Sequence, residues 1–359
     1  MSAALTALTE RLRGARTDAF PADGVNVLAE GSYLRAETIE ELSAPGSREV
    51  PPGMFDVLVA VGRGDLALGR LYEGHVNALG LIERLGTPDQ KSWARGLAEE
   101  GGLLGVWGAD DFARPGRIEG NVLRGRKTYA SGASALSAAI IIVKDEEGDT
   151  HAFVLEAERL AGRFDPAWWR PLGMATTDSF AVEIDGIEVG GPDRLSGRNA
   201  YLAQPYFGGG AVRFVAVQLG GILAVWDAAC SHLARTGREA DPHQAARLGE
   251  MLAECEAAYG GVRTAYARLA RAIAWTESEG VAEDALIADA ARTLTVQAGS
   301  RVTDLAIRSV GCSGLMAGHD LERAVRDLTV YLRQPAPDAA LVRAGSAAAQ
   351  GSYRPVFDD

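Results

Sequence analysis

Three stretches of the 359-residue sequence carry residue types and spacings that could do chemistry. In Gly125-Arg126-Lys127-Thr128-Tyr129-Ala130-Ser131-Gly132, an aromatic ring and a hydroxyl lie close together between glycines. A flat, heteroatom-rich ring needs such an apolar face and such donors, although an ordinary β-hairpin turn with polar ends reads the same way. In Gly311-Cys312-Ser313-Gly314, glycines let backbone N–H groups approach a diphosphate closely; taken alone the segment is also a helix C-cap. Arg326-Asp327 follows it downstream. Between Ala211 and Met251, the cations Arg235 and Arg238 precede Gln244, as either phosphate partners or a solvated helix end. Cys230, Cys255 and Cys312 have no Cys-x-x-Cys or Cys/His spacing, so no metal site or disulfide framework is expected.

These stretches need a scaffold, and the apolar periodicity supplies one. Residues 1–100 read as a helical domain. Asp65 caps a helix with Leu68, Leu71, Tyr72, His75, Leu79 and Ile82 on one stripe, and Gly86 suits a left-handed stop. Thr87-Pro88-Asp89-Gln90 resembles a capping box opening a helix through Ala98. Residues 101–198 change period and read as a small β domain, with a strand at Asn121–Ala130 and another at Phe180–Ile184. A hairpin joins Ala138–Val143 to His151–Leu155. Residues 199–350 return to long helices at about 211–233, 243–275, 283–310 and from 320, the last ended by Pro335-Ala336-Pro337. A short helix from Asp338 and a tail at 351–359 complete the chain. The fold class is mainly α with a central β barrel or sandwich and a C-terminal antiparallel four-helix bundle.

In this helix–β–helix order, the three stretches resemble the acyl-CoA dehydrogenase superfamily of FAD enzymes. The resemblance covers nearly the whole chain. It implies FAD as cofactor, with Tyr129 packing by the flavin and Ser131 bonding near its reactive nitrogen. It also implies that Val106 and Trp107 contact the flavin through their backbone. Arg235 or Arg238, with Gln244, would meet the FAD phosphates. Arg308 stands where the family has Gln, and Gly311 and Gly314 match the family's glycine loop, serving a neighbouring subunit's site. A homodimer or homotetramer is thereby implied.

The usual catalytic carboxylate is missing. The family's Glu, nine residues past the Arg of the Arg-Asp pair, falls on Pro335, and the alternative position falls on Val212. Neither can take a proton. Asp338 reads as a helix N-cap, His75 as a satisfied core histidine, and Glu73 and Asp178 as exposed-face or turn residues. The resemblance thus implies an FAD-dependent oxidoreductase of acyl-CoA dehydrogenase type on an unidentified small molecule, an acyl thioester being one option. A flavin monooxygenase of the same fold is the alternative, since reduced flavin activates oxygen without such a base. A non-catalytic flavoprotein that partners a homologous sister subunit is the other.

Composition narrows the partners. A formal charge of −12 argues against nucleic acid. The N-terminus lacks the long apolar core of a signal peptide, and the apolar run Val215–Cys230 is interrupted by Gln218 and Asp227, short of a membrane span. The sequence therefore points to a cytoplasmic protein.

Overall fold

A computed structural model describes residues 2–43, 53–274, 281–334 and 336–352. The chain opens with helices α1 (Ala3–Gly14), α2 (Ala22–Glu30), α3 (Ala36–Ser43), α4 (Met54–Gly64), α5 (Leu66–Leu85) and α6 (Pro88–Glu99). Asp65 ends α4 and starts α5, its carboxylate accepting from Leu68 N at 3.0 Å. Thr87 and Gln90 close the expected capping box on α6, with Pro88 in its first turn. Gly86 is not left-handed: it is extended at φ −77°, ψ 156°, so the chain runs straight into the Thr87 cap.

The middle segment forms two small sheets. The first holds β1 (Leu104–Trp107), β2 (Arg117–Glu119), β3 (Val122–Arg124), β5 (Ala138–Lys144) and β6 (Thr150–Glu156); the second holds β4 (Arg126–Ala130), β7 (Phe164–Asp165) and β8 (Phe180–Glu183). A short helix, α7 (Ala157–Leu160), follows β6. The expected hairpin is present, with Ala139 opposite Leu155 and Val143 opposite His151. The expected strand at 121–130 is two strands in different sheets. They break at Gly125 (φ +91°), where an added Cβ would lie 2.3 Å from Pro115 O.

The C-terminal helices are α8 (Tyr206–Arg235), α9 (Pro242–Ala274), α10 (Val281–Val310), α11 (Asp320–Tyr331) and α12 (Pro337–Ala349). The apolar stripe of α9 is buried at Met251, Cys255, Val262 and Leu269, but Leu252 is exposed. The N-cap of α12 is Ala336, and Asp338 sits inside its first turn. Trp275 and residues 353–359 lie outside the described residues. Helix α8 is longer and more continuous than its sequence suggests, and an 18-residue stretch of it has mean hydropathy 1.5, enough by length and composition to cross a membrane. Here 67% of that stretch is buried by other parts of the protein.

Backbone contact fixes α8 against α4. A Cβ on Gly62 would lie 2.3 Å from Val217 O, and one on Gly220 would lie 2.3 Å from Val59 O. Only glycine permits this approach, and it places α5, which follows α4 at once, beside the N-terminal half of α8. His75 anchors α5 in turn. Its ring is fully buried, with Nδ1 accepting from Leu104 N at 3.1 Å and Nε2 donating to Leu34 O at 2.8 Å.

That arrangement needs the neutral ring, and burial holds the His75 pKa down to about 4. Against an unfolded value near 6.5, its stabilisation is complete above about pH 6.5 and is lost as pH falls toward 4, about 3 kcal/mol in all. Urea unfolding across that range should show a fall in stability that a His75→Gln variant lacks; parallel pH profiles would contradict this.

Candidate active-site cavity

A cavity of about 1180 Å³ opens where the β segment meets α5, α8 and the end of α11. Its sheet-side wall is built from Val106 on β1, Gly108, Ala109 and Asp110 just after it, Tyr129 on β4, and Trp168–Leu172 in the loop after β7. Tyr206, Phe207 and Phe214 on α8 face it. The cavity is large enough for a tricyclic ring and a second small molecule, since ligand pockets commonly span roughly 300–1,000 Å³.

The sheet-side wall is held by a buried lysine. Lys127 is fully buried, and its Nζ donates to Asp110 Oδ1 at 2.5 Å, Gly108 O at 3.1 Å and Ile142 O at 2.7 Å. Thr128 adds bonds to Ala109 O and Asp110 O at 3.0 Å each. The carbonyls of 108–110 are thus all engaged. Tyr129 is half-exposed at φ +51°, a strained backbone for a tyrosine, and meets Trp168 edge-on at 4.9 Å; Trp168 stacks beside Trp169. These rings form an aromatic wall. Tyr129 stands out in the sequence by its pattern, whereas the only sequence signal of Trp168 and Trp169 is their adjacency.

The tryptophan loop is docked on α11 by the Arg-Asp pair. Met174 N donates to Asp327 Oδ1 at 2.6 Å, and a Cβ on Gly173 would strike the Arg326 backbone at 2.1 Å. Arg326 also reaches Leu172 O at 3.4 Å. The pair's visible role is therefore to set the aromatic wall.

The helix side carries a polar floor. Glu73 on α5 is 5% exposed and is bound by Arg70 one turn earlier, correcting its reading as an exposed-face residue. Both line the cavity. Burial pushes the Glu73 carboxyl above the ordinary range, against the pull of Arg70 and Arg213. Tyr331, from the last turn of α11, is 1% exposed and lies beside Glu73 without being aligned for a full hydrogen bond. Arg213 donates to Asn77 Oδ1 at 2.7 Å behind them. Helix α5 is buried over most of its surface, Glu73 included.

Of the other anticipated site residues, Val106 lines the cavity. Trp107 is buried behind it, donating to Ser131 O at 3.1 Å. The Ser131 hydroxyl bonds Ser179 at 2.8 Å, in a chain with Thr177 away from the cavity. Arg235, Arg238, Gln244, Arg308, Gly311 and Gly314 do not line the cavity. They gather at the α8–α9 turn and the α10–α11 junction, where His232 meets His319 at 3.0 Å and Arg308 lies 3.5 Å from Asp304. Val212 is core. Pro335 lies outside the described residues, while Gln334 and Ala336 on either side line the cavity.

No family model matches the sequence. A dibenzothiophene monooxygenase of Rhodococcus qingshengii is 25% identical over 213 residues, 54% of this chain and 51% of that protein. The chain thus matches about half the length of the curated relatives it resembles. Among solved structures, dibenzothiophene monooxygenase TdsC from Paenibacillus sp. A11-2 superposes with TM-score 0.79 at 17% identity, covering 96% of this chain and 95% of that one. KijD3 in complex with FMN and a dTDP-linked amino sugar gives TM-score 0.79 at 19% identity over 98% and 93%. Butyryl-CoA dehydrogenase from Megasphaera elsdenii gives 0.79 at 16% over 96% and 97%. The chain has the acyl-CoA dehydrogenase fold.

Replacing Lys127 by Met should strip the donor from Asp110 and two carbonyls and cost about 3 kcal/mol in urea unfolding. A loss under about 1 kcal/mol would mean the ammonium does not hold the 108–110 wall.

Proposed function

We propose that the protein is a flavin-dependent monooxygenase acting on a small planar molecule. The observation that carries this reading is that no carboxylate among the described residues lining the cavity is free of a cation, Asp110 being held by Lys127. Among the described residues from 329 to 336 that line it, none is acidic, and Glu73 is already committed to Arg70. The aromatic walls suit stacked planar rings, and the partial likeness to a dibenzothiophene monooxygenase agrees.

The residues present fit a flavin. Tyr129, Trp168 and Trp169 offer an aromatic surface open to the cavity, and Lys144, Arg170 and Arg333 line it as exposed cations with no carboxylate partner among the described residues. These cations suit a phosphate. A reduced flavin bound there would supply the electrons that activate dioxygen, chemistry needing no base for an α-proton. The chain's own part is to hold a planar substrate between the aromatic wall and α8 and to keep water from the reacting faces.

Dehydrogenation of an acyl thioester is the second reading, favoured by Glu73, a cavity-lining carboxyl raised by burial. A scaffold that binds flavin for a sister subunit is the third. We further infer a homo-oligomer. FAD, implied by the sequence, would require the Arg308–Gly314 cluster of a neighbouring subunit to reach the cavity, whereas the mononucleotide named in the KijD3 complex needs less.

The test reconstitutes the protein with flavin and reads the visible spectrum, oxygen uptake and products. Binding of flavin, with oxygen incorporated into an aromatic probe once the flavin is reduced, is expected. Anaerobic bleaching by an acyl-CoA would establish the dehydrogenase reading instead. Bound flavin with neither reaction favours the partner subunit, and no binding at all overturns the family of readings. Chromatography of the released cofactor separates FAD from FMN.

A further inference from the structure

The polar floor of the cavity is more than a catalytic base needs. Arg70 spends one N–H on Glu73, and its other donors meet no acceptor among the described residues although the side chain borders the cavity. Tyr331 is 1% exposed, borders the same space, and its hydroxyl has no aligned hydrogen-bond partner among the described residues. A buried hydroxyl without a partner is expensive, and native proteins leave few of them. Tyr201, partly buried, borders the same space. One acceptor and two kinds of donor therefore converge at the end of an otherwise aromatic chamber.

A purely hydrocarbon ring placed there would strip water from Arg70 and leave the Tyr331 hydroxyl without a partner. A hydroxyl on the ring edge satisfies all three groups at once. Its O–H can donate to Glu73, and its oxygen can accept from Arg70 and Tyr331. We infer that Arg70, Glu73 and Tyr331 form a recognition site for a hydroxyl borne on the edge of a planar aromatic ligand, with Tyr331 the specificity-determining residue. This rests on the cavity being the substrate site, as proposed above.

The test compares 2-naphthol with naphthalene, a matched pair differing by one hydroxyl, binding to the flavin-free protein. Titration is followed calorimetrically and by tryptophan fluorescence, since Trp168 and Trp169 line the wall. Wild type should bind 2-naphthol at least about tenfold more tightly than naphthalene. In Tyr331→Phe that ratio should fall to about threefold or less, with naphthalene bound no worse than before. Glu73→Gln should lower the ratio too; if that variant fails to fold, Tyr331→Phe decides alone. A wild-type ratio near one, no binding of either probe, or a ratio that survives Tyr331→Phe overturns the inference. Flavin binding and oxygen uptake are read separately. A naphthol preference in a protein that takes no flavin would sink the proposed function and leave this site standing. Flavin-dependent turnover without a naphthol preference would do the reverse.

Discussion

The packing of α4 on α8 sets the geometry of everything around the cavity. Gly62 and Gly220 bring the two backbones so close that any side chain at either position would enter the facing helix's carbonyl row. Gly69, at the start of α5, extends the same seam: a Cβ there would lie 2.5 Å from Val217 Cγ1. The seam is locked beyond its end by Asp227, which holds Arg63 at 2.5 Å and Arg13 at 2.9 Å. Since only Asp65 separates α4 from α5, fixing α4 on α8 also fixes the height at which Arg70, Glu73 and Asn77 face Tyr206–Phe214. A looser helix crossing would widen the cavity and separate its polar floor from its aromatic wall.

Within that frame, two buried charges do opposite work. Lys127 is fully satisfied by Asp110 and two carbonyls, so it rigidifies the wall and has no donor left for a ligand. Arg70 is satisfied on one side only, and the side left open borders the cavity. Burial draws the same line between scaffold and site: Lys127 is fully buried, whereas Arg70 keeps part of its side chain accessible. Asp327 belongs with Lys127: its carboxylate is occupied by Met174 N, and its effect on the cavity passes through the loop that carries Trp168 and Trp169.

Much of this architecture is legible in the sequence. Asp65, Thr87 and Gln90 announce their helix starts because a cap is a local device, decided within four residues. The 138–155 hairpin is equally local. The break at Gly125 is not, since it depends on Pro115 crossing beneath it. The site is less legible than the fold. Tyr129 and Val106 stand out by pattern, whereas Glu73 looks like an ordinary helix-surface charge until α8 and α11 close over it. Ser131 matches a pattern but is drawn into the Ser179–Thr177 chain by β8, a contact no spacing rule encodes. The residues at the α8–α9 turn and the glycine loop share one end of the bundle, and from a single chain's sequence nothing indicates how far that end stands from the cavity.

Hydrogen–deuterium exchange with and without added flavin tests the central claim most directly, because it reports where the ligand sits. The account predicts slower exchange in three separate stretches: 70–81 of α5, 106–110 after β1, and the 166–172 loop. Protection confined to other parts of the chain, or none in these three when flavin is demonstrably bound, would contradict the assignment of this cavity.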